Sequence, residues 1–113
     1  MKKLLLVIDM VNGFVKEGAL ADKEINNITP NIINLIKEYV QEGNDIISIQ
    51  EGHNENSKEF ENFPKHCILG TEEAELIEEL KPYKNNMKVI RKNSTSGFLT
   101  KDFSYLKISF LFV

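Results

Sequence analysis

Leu4-Leu5-Leu6-Val7-Ile8-Asp9-Met10-Val11-Asn12-Gly13-Phe14 is the stretch on which the fold turns. An apolar run with no polar alternation stops abruptly at an aspartate. Strands with one face in water alternate apolar and polar residues. An unbroken run instead marks a strand buried on both faces, as in a parallel sheet covered by helices. Asn12-Gly13 then signals a turn, and Gly18 another loop. Farther along, Ile25, Ile28, Ile32, Ile33, Leu35, Ile36, Tyr39 and Val40 recur at helical spacing, and Gly43-Asn44 predicts the end of that helix. Asp45-Ile-Ile-Ser-Ile-Gln50 reads as a second strand, so the helix between the two implies a right-handed βαβ crossover. The segment TEEAELIEEL at 71–80 predicts a further helix, capped by Thr71, with Glu72 and Glu73 at the positive end of its dipole and Pro82 marking its end. Met87 to Ile90 reads as a third strand running into Lys92. The order βαβαβ predicts an α/β fold, a parallel sheet with flanking helices whose site lies beyond the carboxyl ends of the strands.

Composition narrows the functional classes. The chain has 113 residues, enough for one small domain, and a net charge of −3 with a pI near 5.4. It carries no basic footprint for nucleic acid or an anionic membrane. Met1-Lys2-Lys3 before LLLVI has the look of a signal peptide, but the run is short and Asp9 interrupts it. Cys67 is the only cysteine, so no internal disulfide framework exists, which fits a reducing, cytoplasmic setting.

Three places hold residues suited to chemistry. Asp9 closes the first strand, where a general base is useful, although an aspartate there serves equally as a turn cap. Lys92 follows the third strand, and taken alone it reads as an ordinary solvated lysine. The loop EGHNENSKEFENFPKHC at 51–67 gathers Glu51, His53, Glu59 and His66, a mixed oxygen and nitrogen donor set that suits zinc, manganese or iron. A solvated acidic loop containing two histidines is the competing reading, since the spacing matches no standard zinc signature. Cys67 adjoins His66, but neighbours in an extended segment point opposite ways. A small buried hydrophobe is therefore its expected role.

Taken in order, IDMVNGF, the Glu51-Gly52-His53 element, FPKHCILGT and VIRKNSTSGF resemble the isochorismatase-like cysteine hydrolases, and nicotinamidases most of all. The resemblance covers about residues 3–103. It implies a three-layer αβα fold and a triad of Asp, Lys and Cys in which Asp9 and Lys92 match the first two members. It also implies a divalent metal held by Glu51, His53, Glu59 and His66, with Glu51 standing where the family has aspartate, and an aromatic pocket wall at Phe14. Members acting on isochorismate generally lack this metal loop, so the implied substrate is nicotinamide, hydrolysed through a Cys thioester to nicotinate and ammonia. The family cysteine comes from a later segment. The expectation is therefore an N-terminal half of the fold at 1–103 and a divergent apolar tail at 104–113, inactive as it stands. Alternatives are a metal- or ligand-binding remnant, or a hydrolase completed in trans. Asp9 and Lys92 are expected on adjacent strand ends with converging side chains, and the apolar tail predicts self-association.

Overall fold

The computed structural model describes residues 3–93. Strand β1 spans Leu4–Ile8, and a single helical turn, α1, follows at Asn12–Val15. A 3-10 segment at Lys23–Ile28 leads into helix α2, Thr29–Gln41. Strand β2 is Asp45–Glu51 and β3 is Lys88–Lys92. The strands form one sheet in the order β1-β2-β3, all parallel, with Val7 opposite Ser48 and Glu51 opposite Lys92. The apolar runs are therefore strands of a parallel α/β fold, as their unbroken pattern implies.

The periodic stretch after Ile25 divides at Thr29-Pro30. Pro30 sits in the first turn of α2, where its missing N–H breaks no hydrogen bond, and Ile25 and Ile28 lie in the 3-10 segment before it. Gly43 ends the helix at φ +73°, a left-handed conformation that a β-carbon disfavours, and Asn44 N–H donates to Tyr39 O.

The region from 71 to 86 departs from the expected helix. It forms a 3-10 turn at Glu72–Ala74, then extended backbone, then a 3-10 helix at Glu78–Asn86 that contains Pro82. Thr71 makes no side-chain cap to the backbone; its Oγ1 donates to Ile68 O instead. The cause is tertiary. Asn12 N–H donates to Glu75 O, Ile77 N–H donates to Met10 O, and Val11 bridges Leu76 antiparallel. These groups would otherwise have closed helical turns.

One core cluster joins Val7 and Ile46 on one sheet face to Val15, Ile36, Ile77, Leu80 and Met87. Ile47, Ile49 and Ile90 form a second cluster on the opposite face. The described helices supply the layer over the first face. The expectations for 94–113, including the apolar tail and the self-association it predicts, lie outside the described residues.

Candidate active site

The carboxyl ends of the three strands deliver three charged side chains to one point. Asp9 follows β1 directly, with its backbone at φ +59° and its N–H donating to Ile49 O. A left-handed aspartate off a strand end is strained, and it turns the side chain across the sheet. Glu51 and Lys92 end β2 and β3 in register, so both project from the same face. Lys92 Nζ lies 3.1 Å from Asp9 Oδ2 and donates to Glu51 Oε1, also at 3.1 Å. Asp9 and Lys92 converge, but their strands are not adjacent: β2 lies between them, and its Glu51 takes part in the pairing.

Beyond Glu51 the chain leaves the sheet and loops back. His53 N–H donates to Cys67 O and Leu69 N–H to His53 O, which pins the two histidine-bearing arms together. His66 Nε2 lies 2.7 Å from Glu51 Oε2, and His53 Nε2 lies 3.1 Å from the same oxygen. Glu51, His53 and His66 are at most 3 % exposed, and their donor atoms all fall within 4.8 Å of one another. Glu59 is not among them. It sits on the 3-10 segment Lys58–Glu61, partly exposed and outside that cluster. Ser57 caps this turn by accepting from Glu59 N–H.

Burial and the charge of Lys92 compete over the protonation of these groups. At Asp9, desolvation dominates and lifts the carboxyl above its ordinary 3.8 against the pull of Lys92, with Glu51 adding to the rise. Burial acts the same way on Glu51, but the hydrogen bond and charge of Lys92, together with His53, outweigh it and bring that carboxyl below its ordinary 4.5. Cys67 is fully buried, held at φ +47°, and its thiol is pushed up to about 12 by burial and by the charges of Glu51, Glu73 and Asp9. A β-carbon on Gly13 would come within 2.7 Å of its Sγ, so the sulfur is packed against backbone. That is the environment of an inert structural cysteine.

The sequence model of the isochorismatase domain matches residues 3–107. The chain belongs to the isochorismatase family. Among curated relatives, a probable inactive nicotinamidase of Arabidopsis thaliana is 31 % identical over 93 % of this chain and 59 % of its own length. Among solved structures, N-carbamoylsarcosine amidase from Thermoplasma acidophilum superposes with a TM-score of 0.82 at 26 % identity, over 94 % of this chain and 60 % of that one. The pyrazinamidase of Pyrococcus horikoshii, solved in complex with zinc, superposes with a TM-score of 0.73 at 28 % identity, over 83 % and 53 %. This isochorismatase-family chain thus spans about three-fifths of the length of the relatives it matches. Among the described residues no helix is long and apolar enough to cross a membrane.

Whether the isochorismatase-family donor set suits a cation can be tested on the rings themselves. His66 Nδ1 lies 2.6 Å from the carbonyl oxygen of Pro64, which can only accept, so Nδ1 carries the hydrogen. Nε2 of the same ring faces Glu51 Oε2 at 2.7 Å. His53 Nε2 is fully buried with no hydrogen-bond partner despite its nearness to the same oxygen. Two carboxylates, Asp9 and Glu51, are set against one ammonium, Lys92, beside the two imidazoles. Glu51, His53 and His66 could hold a divalent cation.

Several contributors escaped sequence reasoning. Phe60 lies edge-on to both imidazoles, and Phe63 packs edge-on to His66 beside Phe14. Aromatic residues spaced three apart within a polar loop were the available signal. Ser57 contacts His53, and its position just before Lys58–Glu61 reads as a cap.

Proposed function

We propose that these residues form the base and binding half of an amide-hydrolase centre of the nicotinamidase type. One observation carries the reading. The two buried side-chain polar atoms found without a hydrogen-bond partner among the described residues are Asp9 Oδ1 and His53 Nε2. Unpartnered buried acceptors are costly, and those two sit where a thiol proton and a cation would satisfy them.

Asp9 Oδ1 takes the proton of a nucleophilic thiol, and its burial-raised affinity for protons suits it to that task. Lys92 holds Asp9 Oδ2 and Glu51 Oε1 in place and favours the thiolate that results. Glu51, His53 and His66 would hold zinc, manganese or iron, which supplies a Lewis-acidic anchor for the ring nitrogen of nicotinamide. Phe14, tilted against His66 with ring centroids 5.9 Å apart, forms a wall for the flat substrate ring. Glu59 belongs to the proposal only as a ligand reached through a shift of its own turn. Thiolate attack on the amide carbon releases ammonia, and water cleaves the thioester to the acid. Cys67, buried and with its pKa near 12, does not supply that thiol, and the 113 residues hold no other cysteine. The nucleophile therefore belongs to another stretch of polypeptide, and these residues alone keep the metal site without the chemistry. A cytoplasmic setting and a place in nicotinamide-to-nicotinate metabolism go with this reading.

The test has two arms. The 113-residue chain should take up zinc, manganese or iron, and the double variant His53→Ala with His66→Ala should not; equal uptake by both ends the metal assignment. The same chain should release negligible ammonia from nicotinamide. Turnover that survives Cys67→Ser would demand a different nucleophile, while turnover abolished by it would make Cys67 the nucleophile.

A further inference from the structure

His53 is completely buried, yet its ring makes a single hydrogen bond among the described residues: Nδ1 to Ser57 Oγ, at 3.2 Å. The same hydroxyl oxygen accepts from Glu59 N–H at 3.3 Å as the cap of the turn Lys58–Glu61. Ser57 N–H donates in turn to Asn54 O, so the serine is fixed by its own backbone. From this arrangement we infer that Ser57 is a positioning residue for the cation site: it holds His53 as the Nδ1–H tautomer and aims Nε2 at Glu51 Oε2 and His66 Nε2. The physical reason is a matter of lone pairs. A neutral imidazole whose Nδ1 donates to a fixed oxygen presents an unprotonated Nε2, which is the form a cation requires. Pro64 O does this for His66, and Ser57 does it for His53. The two devices differ in kind. A carbonyl can only accept, whereas a hydroxyl can also donate; Ser57 Oγ accepts from Glu59 N–H through one lone pair and has a second for His53 Nδ1–H. Folding of the 58–61 turn is thereby linked to the state of a ring four residues earlier.

The inference rests on the metal reading above, and its test separates the two. Cobalt(II) serves as the probe, with affinity read by calorimetry and ligand geometry by the visible absorption of the bound ion. If the unsubstituted chain binds no cobalt, the metal reading falls, and the role of Ser57 falls with it. If it binds, Ser57→Ala should weaken binding by about 10- to 100-fold and alter the absorption bands. Ser57→Thr, which keeps both the hydroxyl and the cap, should restore both. Equal affinity and unchanged bands in Ser57→Ala would overturn the inference while leaving the metal site standing. The unsubstituted protein offers an independent check should Ser57→Ala fold poorly. Nitrogen-15 spectra of the cation-free protein at neutral pH should show His53 protonated at Nδ1 and not at Nε2. The opposite tautomer would overturn the inference outright.

Discussion

The two connections between strands teach opposite lessons. From Thr29 to Gln41 the chain forms the α-helix that its apolar period predicts, stopped by a glycine in the left-handed region. Between β2 and β3, a segment with an equally good helical pattern at 71–80 forms 3-10 turns around an extended bridge. Both segments bury apolar side chains in the same cluster, Ile36 from one and Ile77 and Leu80 from the other. What separates them is where their backbone groups bond. Those of α2 bond within the helix, so local sequence suffices. Those of 75–77 bond to Met10 and Asn12, a partner more than sixty residues earlier. Helix propensity amounts to tenths of a kcal/mol per residue, too little to resist that competition.

The sharpest way to break the contrast is at the charged end of the second connection. Lys92→Ala leaves the buried Glu51 and the half-buried Asp9 without their shared cation, and we expect a loss of about 3 kcal/mol in urea unfolding. A loss below about 1 kcal/mol would mean that the strand ends are held by packing alone.

Cys67 tests the loop that closes that connection. For an acid, a raised pKa means less of the charged form at a given pH. A thiol moved from 9.0 to about 12 therefore holds roughly a thousandfold less thiolate at pH 8. Iodoacetamide should label the native protein slower than the urea-unfolded chain by at least that factor, because burial adds to it. Equal rates would show that the loop opens readily.

In the cores of the two connections, Ile77→Ala should cost about 2–5 kcal/mol, since the side chain is completely buried. Leu35→Ala on the outer side of α2, 41 % exposed, should cost about 0.5 kcal/mol or less. Similar losses at both would erase the distinction between a helix that stands on its own pattern and a segment held by tertiary contacts. The smallest clear effect belongs to Gly43→Ala. No neighbour crowds the new β-carbon, so the cost is that of left-handed backbone, about 1–2 kcal/mol by thermal or urea unfolding.

Within the site, legibility followed the same division. Asp9 and Lys92 stand at the ends of apolar runs, and ends of parallel strands are where such groups meet, so their convergence was legible without coordinates. Glu51 and His53 alternate along a strand end and could be paired by period alone. His66 came within reach only because the loop folds back through the His53 and Ile68 bridge. Glu59, implied by its donor type and by the family resemblance, lies on the turn Lys58–Glu61 and outside the cluster of Glu51, His53 and His66.

By itself the sequence determined the strands, the parallel class of the sheet, helix α2 and the inventory of donors. Each of these depends on periodicity or on a residue's intrinsic chemistry, both of which are local. Only the tertiary structure decided that β2 lies between Asp9 and Lys92, so that Glu51 joins the charge cluster to the two histidines through one carboxylate. It alone turned 71–86 away from α-helix and set Cys67, whose burial the sequence leads one to expect, against Gly13. The physical reason is common to all of these. Strand order, long-range backbone bonds and burial arise between residues distant in the chain, and their energies exceed the small local preferences that a sequence pattern records.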